Sequence, residues 1–115
     1  MNIKSYVRNL LLDNTIKNLL TDKTVYFLHA DNPTPPYLEY EFYDENGALF
    51  EEGQEITTNY FLQVDIFTKD TSSTDIEEAV KKKLKDNDFI RQSKVDLYED
   101  TTKLNHTAIR FLGTL

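Results

Sequence analysis

Two histidines, four serines, twenty acidic side chains and a run of lysines are the groups from which this chain would have to build any chemistry. His29 lies where an apolar run gives way to a loop, and His106 opens the last apolar run. A triad needs a nucleophile, a base and an orienting acid. None of Ser5, Ser72, Ser73 and Ser93 sits in a Gly-x-Ser-x-Gly elbow, so both histidines read as surface or hydrogen-bonding groups. Asp44-Glu45-Asn46-Gly47, with Glu51 or Glu52 beyond, has some of the oxygen ligands of a calcium loop. That loop requires glycine at its sixth position and a bidentate glutamate at its twelfth; here the glycine comes too early, and the segment reads as a hairpin turn. Asp86-Asn87-Asp88 reads as a helix ending. No two acids are marked as a pair for glycoside chemistry. Gly47, Gly53 and Gly113 are isolated, with no Gly-Lys-Ser/Thr to cradle a phosphate. The expectation is a chain without catalytic residues, metal or cofactor.

Charge is the stronger signal. Thirteen basic against twenty acidic residues give a net charge of −7, which argues against nucleic acid as a primary ligand. From Thr24 to Thr68 there is no Lys or Arg, while nine acids fall there, including Asp44, Glu45, Glu51, Glu52 and Glu55. Lys81, Lys82, Lys83 and Lys85 cluster instead on one short stretch. A solvated helix face is the simpler account of these lysines. The alternative is a patch that meets an acidic surface on a neighbouring subunit, where complementarity fixes register and speeds assembly.

The elements that position these groups follow from periodicity. Ile3, Tyr6, Val7, Leu10 and Leu11 predict a helix, Ile16, Leu19 and Leu20 continue its apolar face, and Asp13-Asn14 predicts a break capping a second short helix. Thr24–Leu28 predicts a strand, and three prolines make 29–36 a loop. Leu38, Tyr40 and Phe42 alternate with Glu39 and Glu41, as in a half-buried strand. Asn46-Gly47 predicts a two-residue turn to a partner over Ala48–Glu52, with Gly53-Gln54 as a second turn. Thr57–Phe67 is the longest predicted strand. It carries Tyr60, Leu62, Val64 and Ile66 on one face, and a mixed, partly buried face of Phe61, Gln63, Asp65 and Phe67. Thr74 and Glu77 form a capping-box pair before a helix bearing Ile76, Ala79, Val80 and Leu84. Strands near Lys94–Glu99 and His106–Leu112 flank a polar turn over 99–105.

The predicted fold class is α+β: one domain over 1–115, with a mostly antiparallel sheet, a β-hairpin and two helices packed on one face. At 115 residues with 39% hydrophobic content, one modest core is affordable. The chain has no cysteine, hence no disulfide framework or thiolate site. No apolar run approaches the ~20 residues of a membrane span. The opening MNIKSYVRNLLLD carries polar and acidic residues where a signal peptide needs an unbroken apolar stretch. The expectation is a protein of a reducing cytoplasm, with no membrane partner.

The order of these elements, with the wording Pro35-Pro36-Tyr37-Leu38, Gln63-Val64-Asp65-Ile66-Phe67 and the ending from His106 to Phe111, resembles the tail-terminator (tail-to-head joining, or tail completion) proteins of long-tailed bacteriophages and prophages. The resemblance spans most of the chain. It implies a non-enzymatic structural protein of the virion's head-tail junction, assembled in the host cytoplasm. Such a protein forms a ring, commonly hexameric, that caps the tail tube, stops its polymerisation and meets the head connector. Its partners are then further copies of itself, the tail tube protein and a head-completion protein, with DNA only as passing cargo. In such a ring the 44–55 hairpin (Asp44, Glu45, Glu51, Glu52, Glu55) is the expected acidic partner of the helix carrying Lys81, Lys82, Lys83 and Lys85. Phe50 is then either an interface anchor or a cover for the domain's own core. Two other readings share these residues. One is a connector-ring or other minor tail protein; the other is a small-molecule-binding α+β domain whose pocket is lined by Tyr37, Tyr40, Tyr43 and Tyr60.

Overall fold

The computed structural model describes residues 1–115. Helix α1 (Ile3–Leu11) starts at Asn2, whose side chain accepts the Ser5 N–H, and stops at Leu12. Asp13 then caps a single further turn, α2 (Asn14–Lys17), by accepting the Thr15 N–H, as the Asp13-Asn14 break predicted. Its carboxyl is held down to about 2, first by the Thr15 hydroxyl, then by the Thr15 N–H and by Lys83. Strand β1 is only Tyr26–Phe27, shorter than the run Thr24–Leu28 suggested. Leu28 takes a positive φ of 68°, and the His29 N–H closes back on the Phe27 carbonyl, which ends the extended backbone.

Strands β2 (Tyr37–Glu51) and β3 (Gln54–Thr68) form one long antiparallel hairpin. Its turn is Glu52-Gly53, not Asn46-Gly47. Glu52 (φ 52°) and Gly53 (φ 79°) both have the positive φ that a two-residue primed turn requires. Asn46 and Gly47 sit inside the ladder opposite Asn59 and Thr58. Moving the turn there would strip partners from the strand beyond it, and the ring of Phe50 already lies over Gly47 where a Cβ would stand. Bulges between Phe42 and Asp44 and around Leu49 let the two strands stay paired to their ends.

Helix α3 (Thr74–Lys85) follows, with Asp75 and Glu77 in its first turn and lysines in its last. Its N-cap position is Ser73, one residue before the predicted one. The Ser73 hydroxyl donates to Glu77 rather than to the backbone. Glu77 is buried and also holds Lys94 at 2.7 Å, so helix start and sheet are tied by one carboxylate. Strands β4 (Phe89–Glu99) and β5 (Leu104–Thr114) complete the sheet, each beginning earlier than alternation alone indicated.

Sheet order is β1-β2-β3-β5-β4, antiparallel except for the short β1·β2 pair. All three helices pack on one face, where Val7, Leu11, Ile16, Ile76, Val80 and Leu84 meet Leu38, Leu62, Val64, Ile66, Ile109 and Phe111. The expected α+β architecture is therefore present, with α2 as a third, one-turn helix. No helix is long and apolar enough to cross a membrane.

Candidate functional site

Three surfaces stand out once the sheet is oriented. The first is the far end of the β2–β3 hairpin. Strand β5 accompanies β3 only from Thr68 to Asn59, and Leu115 closes a last pair of backbone bonds with Thr58. Beyond that point Gln54–Thr57 and their partners form a bare two-stranded ribbon, roughly 13 Å long at ~3.3 Å per residue. Asp44, Glu45, Glu51, Glu52 and Glu55 lie on this ribbon or at its root, all exposed and none in an ion pair. Leu49, Phe50 and Ile56 are exposed among them. Phe50 is 59% exposed, so its ring covers Gly47 of its own ribbon and no part of the core.

The second surface is a groove of about 800 Å³ between the C-terminal half of α3 and the start of β4. Phe89 and Phe111 form its floor, and Ile90, 68% exposed, lies at its outer edge. Lys81, Lys82 and Lys85 line the helix side and Arg91 the strand side. The lysine run is thus split by its own neighbours. Lys81 bonds Glu78 at 2.8 Å, Lys82 bonds Asp86 at 2.8 Å, and Lys83 turns away from the groove to Asp13 at 3.2 Å. The first two pairs hold the Glu78 and Asp86 carboxyls below their ordinary range. Lys85 and Arg91 have no acidic partner within 4.0 Å, and Asp88 on the same lining has no basic one, so the groove keeps a net charge of +1.

The third is the sheet face opposite the helices. Tyr37 stacks on Phe67 at 4.6 Å, and Phe67 stacks on His106 at 4.3 Å. The His106 Nε2 meets Asp65 Oδ1 at 2.7 Å, and Gln63 donates to the same oxygen at 2.9 Å. Glu99 lies 3.8 Å from the other ring nitrogen. The bond to Asp65 raises the His106 pKa against the opposing effect of burial. Burial raises the Glu39 carboxyl, although the Ala30 N–H donates to it at 2.7 Å. Burial, with Glu39 and Glu99 nearby, pushes the Tyr37 hydroxyl up to about 12. Every buried polar side-chain atom has a partner, so these groups are tied to one another and not aimed at an open cavity.

The four tyrosines considered for a pocket do not converge. Tyr37 and Tyr43 lie on this open face, Tyr43 against Phe61 and under Arg110, while Tyr40 packs in the helix-side core and Tyr60 beside Phe42. The structure leaves the acidic and basic candidate residues on separate surfaces of one copy, with no contact between the hairpin acids and the α3 lysines. Sequence reasoning missed Phe89, Ile90 and Arg91, because the strand was expected to begin at Lys94. No known family model matches the chain, and no curated protein sequence does.

Proposed function

We propose that this chain is a non-enzymatic assembly protein of a long-tailed bacteriophage or prophage. In this reading copies of it form a ring, commonly of six, that caps the tail tube, stops its polymerisation and joins it to the head connector at the head-tail junction. The observation that carries this reading is the ribbon. It contributes nothing to the chain's own core, yet it holds three carboxylates and three bare apolar side chains clear of the sheet, with Asp44 and Glu45 at its root. A two-stranded ribbon is marginal alone in water, and an apolar tip rimmed by charge gains its ordering from a partner surface. The α+β architecture is the one that the resemblance to tail terminators implies.

The test is solution mass over a concentration range, with negative-stain imaging, followed by addition to purified tail tube protein. Closed species of about six times the 13.5 kDa chain, and tubes that stop growing once capped, are the expected results. Tubes whose growth ignores the protein would end the terminator reading. Binding to portal complexes in place of tubes would move the protein to the head side of the junction.

A further inference from the structure

We propose that the apolar, acidic tip of the β2–β3 ribbon docks into the α3/β4 groove of a neighbouring copy, as the repeating contact between subunits. This rests on the self-assembly reading above and names the surfaces that would perform it.

The chemistry of the two patches matches. The ribbon tip presents Leu49, Phe50 and Ile56 ringed by Glu51, Glu52 and Glu55. The groove has an aromatic floor, the bare side chain of Ile90, and the unpaired cations Lys85 and Arg91 on its two sides, which outweigh the one unpaired acid, Asp88. An apolar anchor entering a pocket whose rim carries the opposite charge is the arrangement that gives both affinity and register.

Placement allows the contact. Phe89, at the groove, pairs with Gly113, and Gly113 pairs with Tyr60 on β3. The ribbon leaves the sheet at Thr58, two residues before Tyr60 on β3. Groove and ribbon root are therefore level along the strand direction. They lie on different sides of the molecule, because the order β1-β2-β3-β5-β4 puts the groove on the β4 edge. A second copy set beside that edge in the same orientation brings its ribbon root level with the groove. A shift along the strands of about the ribbon's length, ~13 Å, brings the tip to it, and the copy offers its own groove to a third. Repetition of such a contact closes a ring or grows a helix. A two-fold pairing through either patch would instead set three carboxylates against three, or Lys85 and Arg91 against their own copies.

The absence of native cysteine permits a direct test. Glu51 and Lys85 are exposed and make no side-chain bond, so Glu51→Cys and Lys85→Cys combined on one chain leave the fold intact. Treated with a short bis-maleimide, this protein should give a ladder of dimers, trimers and larger species on a denaturing gel. Each single variant, and Glu51→Cys combined with Asn9→Cys on α1, should stop at dimers. Cross-linking traps transient encounters, so a stable ring is not required. A double variant that yields no more than the single ones overturns the contact. The wild-type mass then separates the two ideas. Wild-type rings without a ladder remove this contact and leave assembly standing, whereas a ladder from a wild-type monomer keeps the contact and removes free-standing rings. Neither ring nor ladder removes both.

Discussion

Phe89→Ala should destabilise the protein by about 3–5 kcal/mol, the range for an aromatic ring removed from a packed interior. Phe89 is 1% exposed and is the first residue of β4, so its ring fastens an edge strand whose next nine side chains are all exposed. Its partner is an absence: at Gly113 a Cβ would stand 2.5 Å from the ring. The same contact can be stressed from the other side. Gly113→Ala forces the ring aside and should cost about 1–3 kcal/mol by overpacking. Combining Gly113→Ala with Phe89→Leu should cost less than the sum of the two, since the smaller side chain leaves room for the methyl. Urea unfolding followed by circular dichroism reads Phe89→Ala, Phe89→Leu, Gly113→Ala and the double variant against wild type. A loss below about 1 kcal/mol for Phe89→Ala would show that β4 is held by its backbone ladder alone.

Asp65→Ala should cost about 2–3 kcal/mol, below the 3–5 of a fully buried ion pair because His106 keeps some contact with water. Asp65 is 6% exposed and accepts from both His106 and Gln63, so its loss strands two donors. The pair also makes stability depend on pH in a set direction. Hydrogen bonding to Asp65, helped by Glu99 and Glu39, holds the folded His106 pKa above the ~6.5 of the unfolded chain. Its stabilising contribution is therefore complete below pH ~6.5 and disappears as pH rises through the raised folded value. In urea melts, the gap between wild type and His106→Gln should be wide at pH 6 and narrow at pH 9, and Asp65→Ala should abolish this narrowing. A gap that stays constant across that range would mean that His106 acts only as a stacked ring on Phe67.

Much of the fold could be read from alternation, because burial of one sheet face imposes period two. Leu38, Tyr40 and Phe42 opposite Leu62, Val64 and Ile66 is such a case, and the mixed face with Asp65 and Phe67 is partly buried as its composition indicated. The turn was misplaced because Asn46-Gly47 is a two-residue signal. Hairpin register is instead settled by thirteen cross-strand pairs, which leave Glu52-Gly53 as the only unpaired dipeptide. The start of β4 was hidden by the bulge between Arg91 and Ser93, which breaks alternation just where Phe89 and Ile90 begin it. Charge clusters are visible in any sequence, but their neutralisation is not. Lys83 meets Asp13 across seventy positions, and the groove exists only where α3 and β4 come together.

The cation-free stretch has a practical consequence at the bench. Trypsin cuts after Lys and Arg, and between Lys23 and Lys69 it finds neither. The exposed ribbon is therefore silent to that protease, and resistance there says nothing about whether the segment is covered. An enzyme that cuts after glutamate meets Glu45, Glu51, Glu52 and Glu55 in succession. Digestion by the second enzyme, set against the first as a blank, turns this segment into a footprint of whatever binds it.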